Sequence, residues 1–221
     1  MLRVREIFES IDGEINYFHQ GSITTFLRTS GCNLKCNYCD STAAQTHSSM
    51  DRMLHTPALI KRFYIAHLKN LTTGKVTITG GEPLLQEEGV NCLIEYLIED
   101  KIKVTIETNG SIKHLRHYFH PLVGYIADYK LPSSGMERRM NINFLCELTP
   151  QDILKFVVGD YFDYKRARKL IKEEFIGTRA VVALQPVYNR LDPKLLFEWV
   201  RRDNLPNIVL SIQLHKLLKM Q

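Results

Sequence analysis

The chain has no apolar run long enough to cross a bilayer as a helix. Its start, Met1-Leu2-Arg3-Val4-Arg5-Glu6, lacks the apolar core of a signal peptide. Both absences lead to the expectation of a cytoplasmic protein with no membrane partner. No internal repeat, low-complexity tract or Pro/Gly/Ser linker interrupts it, so residues 1–221 are expected to form a single domain. A strong excess of one charge is missing too. Against 24 Asp and Glu, 29 Lys and Arg leave a net +5, which admits anionic ligands but does not call for direct nucleic-acid binding. The densest basic run, Lys165-Arg166-Ala167-Arg168-Lys169 with Lys172, reads as the solvated face of an amphipathic helix rather than a tRNA contact. Cysteine is scarce, and three of the five lie between positions 32 and 39. That usage fits a reducing compartment better than an oxidised, disulfide-stapled scaffold. Cys92 and Cys146 fall on apolar faces of expected helices and read as buried small hydrophobes.

What is present centres on Cys32, Cys36 and Cys39, which follow an apolar, β-prone run from Ile23 to Leu27. No fourth cysteine is near, whereas a structural zinc site normally closes four ligands. A disulfide would leave one thiol over. Three thiolates on one short loop suit a cubane iron–sulfur cluster with one iron open to another ligand. Gly31 and Asn33 suit a loop that wraps closely around such a cluster.

Apolar strands alternate with amphipathic helices along the rest of the chain. Strands are expected at Val4–Ile11, Ser22–Arg28, Lys75–Thr79, Lys103–Glu107, Gly124–Asp128, Ile153–Val158, Ala180–Leu184 and Ile208–Leu214. Helices are expected after the Thr56-Pro57 cap to Lys69, at Gln86–Ile98, at His114–Phe119, at Tyr161–Glu174 and near Pro193–Arg201. The alternation predicts an α/β fold of parallel βαβ units, with the polar and glycine-bearing clusters at strand C-termini, where such folds bind ligands. The length is short for eight units, so an incomplete β/α barrel of about six is expected. The segment Ala43–Leu54 is expected as a flap after the cysteines.

The CxxxCxxC spacing after a strand resembles the radical S-adenosylmethionine superfamily. The flanks, Glu6-Ile7-Phe8-Glu9-Ser10-Ile11-Asp12-Gly13-Glu14, Phe26-Leu27-Arg28, Gly31-Cys32-Asn33-Leu34 and Cys39-Asp40-Ser41, resemble its 7-carboxy-7-deazaguanine synthases, and the likeness runs over nearly the whole chain. It implies a radical SAM core and a ring contraction of 6-carboxy-5,6,7,8-tetrahydropterin with loss of ammonia. The implied cofactors are a 4Fe-4S cluster on Cys32, Cys36 and Cys39, S-adenosylmethionine, and Mg2+ at Ser41, where the family usually has threonine. Gly80-Gly81-Glu82-Pro83, Glu107-Thr108-Asn109-Gly110 and Asp128-Tyr129-Lys130-Leu131-Pro132-Ser133 resemble its cofactor motifs. Tyr38, Gly80, Gly81, Glu82, Glu107, Thr108, Lys130, Ser133 and Gln185 are therefore expected at the cofactor. Asp12 (where the family usually has glutamine), Gly13, Glu14, Arg28, Thr79 and His215 are expected at the substrate. A carboxylate can accept from pterin N–H groups and an arginine can hold a carboxylate bidentately. Also implied are an electron donor such as flavodoxin or ferredoxin, and a homodimer. The alternatives are an activating protein for a glycyl-radical enzyme and a non-catalytic iron–sulfur module.

Overall fold

A computed structural model describes residues 1–112, 120–205 and 207–220. Its framework is a nine-stranded sheet ordered β3-β1-β2-β4-β5-β6-β7-β8-β9. In chain order the strands are β1 (Leu2–Ile11), β2 (Ile23–Thr29), β3 (Arg52–Leu54), β4 (Lys75–Gly80), β5 (Lys103–Thr108), β6 (Val123–Tyr129), β7 (Ile153–Val158), β8 (Val181–Pro186) and β9 (Ile208–Leu210). From β2 onward, neighbours in the run β2-β4-β5-β6-β7-β8-β9 are parallel. β1 pairs antiparallel with β2 and with β3. The edge strands β3 and β9 do not meet. The sheet is therefore an open, partial β/α barrel.

The central strands are covered on both faces, with apolar residues on one and Thr77, Thr79, Thr105, Glu107, Asp128 and Lys155 interleaved among them. Val76, Ile78, Val104, Ile106, Ala127, Leu154, Phe156 and Leu184 are wholly buried. The helices are α1 (Pro57–His67), α2 (Glu87–Glu99), α3 (Ile142–Cys146), α4 (Tyr161–Glu173), α5 (Pro193–Arg202) and α6 (Leu214–Leu217). Their starts follow capping chemistry. Thr56 accepts from Leu59 N at 3.3 Å with Pro57 at the first position, and Asp160 accepts from Asp163 N at 3.0 Å. The face of α4 that meets the sheet buries Tyr164, Ala167 and Leu170, while Arg166 pairs with Glu137 and Arg168 with Asp203 at 2.7 Å.

Some boundaries differ from the sequence expectation. The last strand stops at Leu210; residues 211–213 of its anticipated span are irregular, and the short helix α6 begins at Leu214. The flap carries a 3-10 turn, Thr42–Gln45, and the strand β3. Helix α3 has only one turn, too short for apolar periodicity to show. Cys92 is partly buried against the core, but Cys146 is exposed at the end of α3, so only the first behaves as a small hydrophobe. The helix anticipated at His114–Phe119 lies outside the described residues.

The segment after β1 folds across the N-terminal ends of the parallel strands. Asp12 N donates to Ser22 O at 2.8 Å, and Lys75 Nζ donates to Asn16 Oδ1 at 2.9 Å. This closes the floor of the barrel and lifts Glu14 into its interior.

Candidate active site

The cysteine loop leaves β2 at Thr29. Gly31 takes φ +94°, a left-handed conformation that suits glycine. Two backbone bonds hold the loop to the 3-10 turn: Gly31 N to Ala44 O at 2.8 Å and Cys32 N to Gln45 O at 3.0 Å. Arg5 on β1 braces that turn, donating to Ala43 O at 2.9 Å and to Thr46 O at 2.6 Å. Asn37 donates from its backbone to Ser134 O at 3.0 Å and from its side chain to Ser133 O at 3.1 Å. So anchored, Cys32, Cys36 and Cys39 stand half-buried and face one cavity of about 720 Å³ inside the barrel.

Gly80 and Gly81 form the next stretch of wall. Gly80 has φ +129°, and a Cβ there would lie 2.1 Å from Thr29 O; one on Gly81 would lie 2.2 Å from Gly31 O. No side chain fits, so bare backbone faces the cavity beside the thiols. Glu82 turns away from it. Its Oε1 accepts from Leu84 N and Thr108 Oγ1, both at 2.9 Å, and its Oε2 accepts from Asn109 N at 2.6 Å. Burial pushes its carboxyl up to about 7 despite those bonds. Glu82 thus ties the end of β4 to the end of β5.

Thr79, Glu107 and Thr108 line the same wall, and Thr79 Oγ1 donates to Glu107 Oε2 at 2.6 Å. Burial, then the negative charge of Glu14, raises the Glu107 carboxyl to about 7. Tyr38 reaches Val157 O at 3.5 Å.

Beneath these lies a buried charge network. Glu14 accepts from the Lys155 ammonium, from Gln185 Nε2 at 3.3 Å and from Gln213 Nε2 at 3.0 Å. Lys155 also pairs with Asp128 Oδ1 at 3.0 Å, and Asp128 Oδ2 takes Lys130 Nζ at 2.7 Å. Burial acts to neutralise Lys155, but Asp128, Glu14 and Glu107 outweigh it and hold its pKa above the usual lysine range.

On the neighbouring strand β2, where it pairs with Thr79, Arg28 donates to Glu6 Oε1 at 2.6 Å and to Ser41 Oγ at 3.2 Å. Its guanidinium lies 5.3 Å over the Phe8 ring, which stacks on Phe26 at 5.1 Å. Ser41 Oγ donates to Asp40 Oδ1 at 3.3 Å, and Asp40 Oδ2 takes Lys216 Nζ at 2.7 Å. His215 packs directly against Gly13, whose carbonyl accepts from Leu214 N at 2.9 Å.

Of the residues expected at the site, Glu82, Asp12 and Ser133 are off the cavity wall; the others line it. Asp12 is wholly buried under the floor, paired with Lys75 and accepting from Thr77 Oγ1 at 3.3 Å. Ser133 donates both its amide and its hydroxyl to Asp163. The cavity also gathers Lys155, Asp128, Gln213, Asn109 and Lys216, to which the sequence reading gave no role. Lys155 carried a readable signal, being the single charge inside the apolar run Ile153–Val158.

Comparison with known proteins places this geometry. Residues 26–128 match the model of the Radical SAM superfamily. A 7-carboxy-7-deazaguanine synthase of Clostridium acetobutylicum is 33% identical, with 98% of this chain aligned to 95% of that protein. One from Methanospirillum hungatei is 36% identical over 98% of this chain and 85% of its own length. The chain belongs to the 7-carboxy-7-deazaguanine synthase family. The fold of this radical SAM protein also matches the crystal structure of QueE from Escherichia coli, with a TM-score of 0.74 at 21% identity, covering 97% of this chain and 94% of that one.

The donor set fits what a radical SAM protein has to hold. Three soft thiols on one braced loop share a cavity wall with glycine backbone, and a nearby amide already donates toward Cys32. Among the described residues, no three His, Cys, Asp or Glu side chains converge on one ion. For magnesium, the hard oxygens are the Ser41 hydroxyl and the Asp40 carboxylate, a partial set of the kind Mg2+ completes with waters and substrate oxygens.

Proposed function

We propose that this protein converts 6-carboxy-5,6,7,8-tetrahydropterin to 7-carboxy-7-deazaguanine with release of ammonia, as a single radical SAM domain over residues 1–221. One observation carries the reading: the three thiols and the Glu14 network line the same cavity. Cys32, Cys36 and Cys39 would hold the cluster, which would supply the one-electron reduction of S-adenosylmethionine needed to start hydrogen abstraction at C6 of the pterin. The chain's own groups bind, orient and shield.

Gly80 and Gly81 offer backbone polar groups to the methionine end of the cofactor. Lys130 sets a cation near its carboxylate, with Tyr38, Thr108 and the rim around Ser133 flanking it. Glu107 accepts from the ribose hydroxyls, and Gln185 lies toward the adenine. At the floor, Glu14 accepts from the pterin N–H groups, positioned by Lys155, Gln185 and Gln213. Arg28 swings from Glu6 to hold the substrate carboxylate, Thr79 borders it, and Gly13 seats His215. Ser41 would hold a Mg2+ ion, which would polarise that carboxylate; Asp12 supports the floor from below. Phe8 and Phe26 give the ring an apolar surface. Activation of a partner's glycine, or passive carriage of a cluster, gains no support from a cavity with so many polar groups aimed inward.

The reductant is a one-electron donor such as flavodoxin or ferredoxin. A homodimer is supported by apolar side chains exposed near the β9 edge, Val209, Leu210, Ile212 and Leu217. Among the described residues no helix is long and apolar enough to cross a membrane; a cytoplasmic location agrees with that.

The function is tested anaerobically with iron- and sulfide-loaded protein, reductant, S-adenosylmethionine, Mg2+ and the pterin, following products by mass spectrometry. The reading expects 7-carboxy-7-deazaguanine; 5′-deoxyadenosine without it would remove the substrate assignment. Two variants probe the binding roles. In Gly13→Ala the new Cβ would lie 1.8 Å from His215 Nδ1 and 2.9 Å from its Cβ, so the ring must leave its seat. KM for the pterin is expected to rise about tenfold, about 1.4 kcal/mol, with cluster content unchanged. In Ser41→Ala the stimulation of turnover by added Mg2+ is expected to disappear, read as activity against magnesium concentration.

A further inference from the structure

We propose that Asn109 tunes the cluster, its side-chain amide donating to the Cys32 sulfur and raising the reduction potential. The proposal rests on Cys32, Cys36 and Cys39 being the ligands.

The amide's direction is fixed by its neighbours. Asn109 Oδ1 accepts from Ser111 N at 3.0 Å and from Ser111 Oγ at 2.6 Å. Its NH2 group therefore faces the other way, donating to Asn33 Oδ1 at 3.0 Å and to Cys32 Sγ at 3.6 Å. Asn33 Nδ2 donates back to Ser111 Oγ at 2.8 Å, closing a ring in which each side chain orients the next. A flipped amide would set NH2 against the Ser111 amide N–H, so only one orientation satisfies the ring. The backbone is pinned as well, since Asn109 N donates to buried Glu82.

Cys32 receives a second N–H, from Leu34 N at 3.4 Å. Among the described residues, no comparable donor reaches the Cys36 or Cys39 sulfur. The environment of the three thiols is therefore lopsided. Hydrogen bonds to ligand sulfurs favour the state with more negative charge, which in a cluster is the reduced one. An amide locked in place before reduction gives that preference with little reorganisation. Glu82 thereby has a role although it does not face the cavity: it fixes the strand end from which Asn109 reaches the thiol.

The test is a redox titration of the full-length, iron- and sulfide-loaded protein, without S-adenosylmethionine, followed by electron paramagnetic resonance of the reduced cluster. In Asn109→Ala the reduced-to-oxidised ratio at fixed poise is expected to fall about tenfold, a midpoint about 59 mV more negative for a one-electron couple. Ser111→Ala, which keeps the backbone N–H on Asn109 Oδ1 but removes the hydroxyl that holds both that oxygen and Asn33, loosens the amide and is expected to shift the midpoint the same way by less. Iron and sulfide content should match wild type, separating tuning from damage to the loop. An unchanged or more positive midpoint in fully loaded Asn109→Ala would overturn the proposal. If that variant takes up no cluster, Ser111→Ala decides by the same criterion. A Cys32→Ala protein that keeps a full cluster would instead remove the ligand assignment, and this shows in iron content before any potential is measured.

Discussion

Lys155→Met is expected to lower the melting temperature by about 6–12 °C, as follows from about 3 kcal/mol for a buried charge stripped of its partner in a chain of this size. The same change should lower kcat/KM about a hundredfold, the equivalent of about 2.7 kcal/mol. Lys155 stands between two carboxylates, Glu14 and Asp128, in the barrel interior. Methionine fills a similar volume but leaves both without their shared cation. The cost depends on pH. In the wild type, burial acts to raise the Asp128 carboxyl, yet Lys130 and Lys155 hold it below the usual range. A depressed carboxyl contributes stability above its unfolded pKa and loses it as the pH falls. Without Lys155 the Asp128 pKa rises, so the deficit of the variant should be largest at neutral pH and above, and narrow toward pH 5. Adding Glu14→Gln to Lys155→Met removes one of the stranded charges and should recover part of the stability but none of the activity. Thermal melts at two pH values and a four-member mutant cycle check this. A variant as stable as wild type throughout would show that the network contributes nothing.

Cys36→Ala is expected to abolish turnover while leaving the fold intact. The loop does not depend on its cysteines for position, because Gly31, Cys32 and Asn37 are tied through backbone groups to Ala44, Gln45 and Ser134. Loss of one thiolate would remove a ligand from a set of three, and among the described residues no fourth cysteine lines the cavity. Visible absorbance, iron and sulfide should fall to background, with a circular dichroism spectrum and melting curve close to those of cluster-free wild type. Retention of a stable cluster would mean that another group replaces Cys36.

Much of the fold was legible because β4 to β8 are short runs rich in β-branched and aromatic residues and α1 opens on a Thr-Pro cap, signals that do not depend on distant residues. The cysteine loop was legible for a similar reason: three cysteines within eight positions of one loop reach one cavity wall without help from distant residues. Legibility ended where partners are far apart in the chain. Lys155 and Glu14 are separated by 141 residues, and Gln213 and Glu14 by 199. Neither pairing leaves a local pattern beyond a lone lysine in an apolar strand. Asp12 and Glu82 sit inside recognisable motifs, yet their side chains turn to the framework, Asp12 toward Lys75 and Glu82 toward Thr108 and Asn109. A motif shows that a stretch belongs near a site, but the direction of each side chain is set by packing. The short elements β3 and α6 were missed because three- and four-residue stretches carry no period to read.

The most direct measurement follows one atom. The pterin is prepared with deuterium at C6 and turned over anaerobically with the loaded protein, and the recovered 5′-deoxyadenosine is weighed by mass spectrometry. A cavity that seats cofactor and pterin together, lined by both the thiols and Glu14, predicts deuterium in 5′-deoxyadenosine in step with the 7-carboxy-7-deazaguanine formed. Unlabelled 5′-deoxyadenosine beside full product would contradict it, because the radical and C6 would then not meet in this cavity.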